Sequence, residues 1–381
     1  MQPRRVAVVG AALSDLGRVP DKTALQLMHQ ASVRAIADAG ITKDDIEGLG
    51  AHGVTLAPVE ISESLGLHPT WFDGTNVGGS SWEVQAQHAA AAISRGEVDC
   101  VLLTYGSTAR SDAKRQTRGA ATAMNRGGPL AFETPYGHTL IAKYAMVAQR
   151  HMHQYGTTVE QLAEIAVAAH EWALLNPEAF DRRSITVDDV AESTMIAEPF
   201  TALHCCLRTD GGGSVVLMSE DRARDLDVEP VWILGSAHEA SHVNMASWSD
   251  ITTSPCAHTG PVAFGQAGVT PADIDVALLY DSFTSTVLLT LEGLGFCPVG
   301  EGGPFVASGA IAPGGSLPVN PDGGGLAACH PGMRGMFLLV EAVRQLRGEA
   351  GDRQIADAQL ACVNATGGFF SAVSTMVLGT D

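Results

Sequence analysis

Apolar residues in this chain gather in short runs closed by glycine or by polar residues. Val6-Ala7-Val8-Val9-Gly10, Cys100–Tyr105, Val231-Trp232-Ile233-Leu234-Gly235, Val276–Leu279, Gln359–Val363 and Ala372–Leu378 all have this form. Runs of this length bounded by turn residues predict buried β-strands. Between them lie longer stretches with helical spacing, notably Tyr136–Tyr155 and Val159–Leu175. Strand and helix alternate along most of the chain. That order predicts an α/β fold with helices packed on largely hydrophobic sheets.

The pattern also repeats. Gly40-Ile41-Thr42-Lys43-Asp44-Asp45-Ile46-Glu47 is echoed by Gly268-Val269-Thr270-Pro271-Ala272-Asp273-Ile274-Asp275. Each has a turn, an N-capping Thr and an acidic first turn ahead of an apolar run. Ala89–Ile93 with Arg95-Gly96-Glu97 and the strand after it is echoed by Met336–Leu346 with Arg347-Gly348-Glu349 and its strand. Gly211-Gly212-Gly213-Ser214-Val215-Val216-Leu217 corresponds to Gly367-Gly368 and Ala372–Leu378. Three echoes in one order predict two similar halves, residues 1–226 and 227–381. The first is longer by an insertion at about 110–200, which reads as a helical loop domain over one end of the sheet.

Composition narrows the function. With 381 residues the chain holds one large or two medium domains, and 45% hydrophobic against 17% charged residues marks a packed core. Lys and Arg total 23 against 42 Asp and Glu, a net charge of −19, so a duplex-binding face is not expected. No apolar run reaches the ~18 residues of a membrane span. Met1-Gln2-Pro3-Arg4-Arg5 precedes an apolar run that reads as a first strand rather than a signal peptide. Seven cysteines, with Cys205 and Cys206 adjacent, make no disulfide framework; reduced thiols in a cytoplasmic protein are expected.

Several motifs invite a chemical reading. His238-Glu239-Ala240-Ser241-His242 fits a zinc-protease pattern that works only on a helix, yet it follows a strand-like run. His204-Cys205-Cys206 lacks a C-x-x-C partner, and no metal site is assigned. Asn364-Ala365-Thr366 fits a glycosylation sequon that has no role without secretion. Four stretches place polar or glycine residues where buried elements end. Gly78-Gly79-Ser80-Ser81 precedes a helix near Trp82, and its amides suit an oxyanion. Tyr280-Asp281-Ser282-Phe283 follows a strand. Gly323-Gly324-Gly325 leads through Cys329-His330-Pro331-Gly332 to a helix. Asn364-Ala365-Thr366-Gly367-Gly368 ends a strand. The repeat puts the Gly78 and His330 stretches at equivalent ends of the two halves.

These stretches, in this order, resemble the thiolase superfamily, and specifically its sterol-carrier/lipid-transfer-protein type. Asn320–Gly335 resembles the family's N-x-x-G-G…G-H-P-x-G block, and Tyr280–Phe283 its H-D-x-F or N-E-x-F block. The resemblance implies a five-layer αβαβα fold from two duplicated halves with an inserted loop domain. Two departures are informative. Degradative thiolases have a nucleophilic Cys where this chain has Gly78-Gly79-Ser80-Ser81, and a second Cys near the position of Asn364; neither is present. Tyr280, with Thr75–Ser81, is similar to the aldolase branch, which cleaves β-hydroxyacyl-CoA thioesters in steroid side-chain degradation. Steroid members of that branch often carry Tyr at the position of His330, where this chain keeps the thiolase His.

The resemblance implies a retro-aldol enzyme that splits a β-hydroxyacyl-CoA, such as a steroid side-chain thioester, into a ketone or aldehyde and a short acyl-CoA. Propanoyl-CoA or acetyl-CoA would be that second product. Tyr280 and His330 are then the acid/base pair. Gly78, Gly79, Ser80, Asn364, Gly367 and Gly368 form the thioester oxyanion site. Arg110, Lys114, Arg115, Arg118 and Arg126 either hold the coenzyme A phosphates or form a solvated or partner-binding loop. No covalent cofactor is expected. The family implies a homodimer core joined to an OB-fold/zinc-ribbon partner as a heterotetramer, with any zinc in that partner. Two other readings stand beside this one. The first is a Claisen-type thiolase using Ser80, Ser81 or Cys329 as nucleophile; the second is a non-catalytic acyl-CoA or lipid-binding scaffold.

Overall fold

The computed structural model describes residues 4–113, 132–136 and 139–381. Nine strands form the frame: β1 (Val6–Leu13), β2 (Gly48–His52), β3 (Trp71–Asp73), β4 (Cys100–Ser107), β5 (Gly211–Ser219), β6 (Val231–Ala240), β7 (Val276–Leu279), β8 (Leu360–Gly367) and β9 (Ala372–Gly379). Their hydrogen-bonded order is β3-β2-β4-β5-β1-β6-β9-β8-β7. Reading outward from the middle, both sides follow one scheme. β1 pairs antiparallel with β5, β5 antiparallel with β4, and β4 parallel with β2. On the other side β6 pairs antiparallel with β9, β9 antiparallel with β8, and β8 parallel with β7. Backbone pairing joins the two half-sheets at Ala7↔Trp232 and Val8↔Val231.

Helices divide this frame into five layers. α1 (Ala24–Asp38) covers the outer face of β1, β4 and β5; α5 (Cys256–Ala267) covers β6 and β9. Between the half-sheets run α2 (Ser81–Ser94) and α7 (Gly335–Leu346), and α7 touches strands of both halves. A helix between two sheets has no solvent face, which explains why Gly335 to Val343 are all buried. The sequence repeats are structural equivalents. Thr42 and Thr270 close the same capping turn, their amides donating to Asp45 and Asp273 at 2.9 and 2.8 Å.

The inserted segment supplies α3 (Leu140–Tyr155) and α4 (Val159–Leu175), which pack on α6 (Thr284–Gly293). α3 begins at Leu140 rather than near Tyr136, because the Thr139 hydroxyl accepts from the Ala142 amide at 3.2 Å and caps it there. α4 also packs on the turn Gly324–Ala328, so the insertion reaches the second half's glycine block.

One close approach recurs in both halves. A Cβ on Gly10 would overlap the Ala35 carbonyl and press on Ala39; a Cβ on Gly235 would overlap the Ala263 carbonyl. Bare glycine lets α1 and α5 sit directly on β1 and β6. Gly10→Ala and Gly235→Ala should therefore each overpack the layer and cost roughly 1–3 kcal/mol. Urea unfolding checks this; unchanged midpoints in both variants would contradict it.

Candidate active site

The site forms where β7 ends. Its pairing with β8 continues one residue further, the Tyr280 amide donating to the Asn364 carbonyl at 2.9 Å. Asn320 ties the strand from its other side, accepting from the Leu279 amide and donating to the Leu279 carbonyl, both at 2.8 Å. Asp281, 1% exposed, accepts from the amides of Gly325 at 2.8 Å and Leu326 at 3.2 Å. Arg334, wholly buried, grips both Asp322 oxygens at 2.7 Å, lies 3.2 Å from Asp281 and donates to the Cys329 carbonyl at 2.9 Å. Burial pushes the Asp281 carboxyl up, and the guanidinium opposes that shift. This clamp fixes the strand end against the segment that carries His330.

Tyr280 and His330 meet inside that frame. The Tyr280 hydroxyl lies 3.2 Å from His330 Nε2, and the rings stand nearly perpendicular at 87°. The His330 amide donates to Thr209 Oγ1 at 3.0 Å. His330 does not sit at a helix start: the wide turn Gly324–Ala328 precedes it and α7 begins only at Gly335. Burial, then the Arg334 charge, lowers the imidazole to about 4, so it is neutral at pH 7. Burial pushes the Tyr280 phenol well above its ordinary value, with Cys206 adding to the effect. A preformed phenolate is thus disfavoured. The pair is neutral on both sides, the arrangement in which a phenol hands its proton to an imidazole as it receives another.

The glycine loops close around Tyr280. Gly78, at φ +82°, packs on Gly367 and Gly368. A Cβ on Gly79 would overlap the Tyr280 ring and the Thr366 carbonyl. Only glycine lets this turn lie against the phenol. α2 and α7 converge here, since a Cβ on Gly335 would overlap the Gly79 carbonyl. Outside the loops opens a cavity of about 640 Å³, bordered by Val77, Gly78, Gly368, His242 and Asn244. A larger cavity of about 890 Å³ lies away from these residues, among paired charges such as Arg344 and Glu178.

The structure thus brings Tyr280, His330, Gly78, Gly79, Gly367 and Gly368 together. Other expected residues stand differently. Ser80 is buried with its hydroxyl donating to the Ala372 carbonyl at 2.9 Å, and Ser81 donates to the Gly78 carbonyl at 2.6 Å. Among the described residues neither hydroxyl is paired with a base. The Asn364 side chain donates to Thr375 Oγ1 at 2.8 Å, leaving its carbonyl as the part that serves Tyr280. Cys329 packs 3.2 Å from Thr209 Oγ1 and burial pushes its thiol up to about 12; burial also raises Cys205 to about 11 and Cys206 further. A thiol so shifted is an inert nucleophile. Arg110 lies over the Phe180 ring at 4.6 Å and donates to the Arg208 carbonyl, while Lys114, Arg115, Arg118 and Arg126 lie outside the described residues. His238 is on strand β6, not a helix, so the zinc-protease spacing has no geometric basis. Asp322 and Arg334 are legible in the sequence only as unnamed members of the Asn320–Gly335 block. Their signal was a lone cation and a lone acid inside an apolar, glycine-rich block.

Replacing Arg334 by Met would leave two buried carboxylates without their cation. A loss of about 3–5 kcal/mol is expected, read as a shift of the urea midpoint; wild-type stability would contradict the clamp.

A family model described as thiolase C-terminal domain-like matches residues 237–380. The 17-hydroxy-3-oxo-4-pregnene-20-carboxyl-CoA lyase of Mycobacterium tuberculosis is 36% identical, over 90% of this chain and 92% of that protein. A steroid side-chain-cleaving aldolase of Thermomonospora curvata is 34% identical over 100% and 99%. A protein named acetyl-CoA acetyltransferase in Methanothermobacter thermautotrophicus is also 34% identical, over 96% and 97%. Among solved structures, the Ltp2-ChsH2(DUF35) aldolase matches with a TM-score of 0.89 at 33% identity, covering 100% of this chain and 98% of that one. The chain belongs to the thiolase superfamily, in the lipid-transfer-protein group that includes the steroid side-chain-cleaving aldolases.

Proposed function

We propose that this protein is a carbon–carbon lyase of thiolase fold, cleaving a β-hydroxyacyl-CoA by a retro-aldol step, with a steroid side-chain thioester as the substrate class. The observation that carries the reading is the Tyr280–His330 pair, 3.2 Å apart and enclosed by two glycine loops. The substrate hydroxyl gives its proton to the Tyr280 oxygen while Tyr280 passes its own to neutral His330. The C–C bond breaks, its electron pair moves to the α-carbon, and the carbonyl product leaves. Amides around Gly78, Gly79, Gly367 and Gly368 hold the enolate oxygen, each such donor being worth roughly 3–4 kcal/mol in the transition state. The proton on His330 then returns to the α-carbon, giving the short acyl-CoA. Arg334 favours that return, because it disfavours the imidazolium.

The relatives named as a steroid CoA lyase and a side-chain-cleaving aldolase support the substrate class. The solved aldolase named together with ChsH2(DUF35) supports a partner protein, read here as an OB-fold/zinc-ribbon subunit completing a heterotetramer. The homodimer core would use edge strand β3, whose Phe72 is 70% exposed. Among the described residues no helix is long and apolar enough to cross a membrane; a cytoplasmic location is part of this proposal. Residues 1–226 and 227–381 are taken as its two halves. The Claisen-type reading draws on the acetyltransferase relative; it predicts acyl exchange with free coenzyme A, whereas the lyase releases a ketone or aldehyde without any.

Tyr280→Phe should lower cleavage by roughly 10²–10⁴-fold with folding intact; full activity in purified Tyr280→Phe would refute the relay. Because His330 works as the neutral base and is lowered to about 4, the acid limb of kcat/KM should appear only as pH drops toward 4. An acid limb near 6.5, the ordinary imidazole value, would contradict the buried neutral pair.

A further inference from the structure

Glu83 stands in the first turn of α2, fully buried, and neither of its carboxyl oxygens has a hydrogen-bond partner among the described residues. Nothing in the relay above uses it. Its neighbourhood lies directly beneath the site. A Cβ on Gly335 would come 2.5 and 2.7 Å from the two Glu83 oxygens and would overlap the Gly79 carbonyl, so all three oxygens crowd one face of Gly335. The Tyr280 ring rests on that same Gly79. A carbonyl only accepts hydrogen bonds, and so does a carboxylate. Two acceptors facing each other in a dry interior repel unless one carries a proton.

The titratable groups on the elements packed against α2 are engaged elsewhere. Arg334 is held by Asp281 and Asp322, and Glu341 by Arg353 at 2.9 Å. The Tyr105 hydroxyl donates to the Pro331 carbonyl at 2.6 Å. His238 bonds Gln87, and burial holds His52 below its ordinary value. Among the described residues, burial and its own backbone amide are what bear on Glu83, and burial dominates, pushing the carboxyl up to about 8.

We propose that Glu83 is a positioning residue for the cleavage: kept as a carboxylic acid, it donates a hydrogen bond to the Gly79 carbonyl and fixes the glycine turn under Tyr280. Its ionisation sets two acceptors against each other and tilts that turn. This rests on the retro-aldol reading for its catalytic consequence, but not for the state of the acid.

Two measurements on Glu83→Gln, which retains a donor and cannot ionise, test it in the full chain with its partner. Wild-type kcat should fall above about pH 8, while Glu83→Gln keeps its plateau there. Glu83→Ala, which has no donor, should lose roughly 10- to 100-fold in kcat at pH 7 with little change in KM. An alkaline fall shared by wild type and Glu83→Gln would overturn the positioning role. The second measurement needs no turnover. The folded state keeps a proton on Glu83 that the unfolded state releases above its ordinary value of 4.5, so stability drains away between about 4.5 and about 8 as pH rises. Glu83→Gln lacks this component, and its stability advantage over wild type should grow across that window. A pH-independent difference would overturn the buried acid. A growing difference in an enzyme that cleaves no hydroxyacyl-CoA would uphold the acid and sink the retro-aldol reading instead.

Discussion

One buried guanidinium organises the site. Arg334 neutralises Asp322 and Asp281, and Asp281 in turn receives the amides of Gly325 and Leu326. Through these bonds the end of β7 and the block carrying His330 become one rigid unit. A charge this deep is costly unless paired, and the pairing geometry leaves little freedom. The same guanidinium helps burial hold His330 neutral. Structure and the proposed chemistry therefore share one cause: the clamp that holds Tyr280 against His330 also favours the neutral imidazole that the proposed relay requires.

The glycines complete what the clamp begins. Each half contributes one helix to the middle layer, and the turns leading into α2 and α7 converge on a single point. Gly79 lets backbone lie against the Tyr280 ring, with Gly78 against the Gly367–Gly368 turn. Any side chain at Gly79 would stand where the phenol now packs. Burial raises Cys205, Cys206 and Cys329 above the range of a ready nucleophile.

Much of this was legible in the residues. The paired capping turns at Thr42 and Thr270 revealed the duplication, because local hydrogen bonds dictate local sequence. Tyr280, His330 and the two glycine turns stood out because polar or flexible residues closing a buried run need a reason. Side-chain direction was not legible. Ser80, Ser81 and Asn364 had the right chemistry at the right places, yet each turns to a backbone or strand partner that only tertiary contact supplies. The glycine block does not lead straight into a helix: its wide turn ends before His330, and α7 starts five residues after His330. Glu83 gave no signal at all; an acid in a helical first turn reads as an ordinary dipole partner, and only its burial sets it apart.

In the proposed reaction a neutral phenol and imidazole cleave a carbon–carbon bond with no acyl-enzyme. Intact-protein mass spectrometry of the rapidly quenched enzyme during turnover of a β-hydroxyacyl-CoA tests it most directly. An unmodified chain mass is expected while carbonyl product accumulates with free coenzyme A absent. A chain carrying the mass of a bound acyl group, formed and consumed at the rate of turnover, would contradict it.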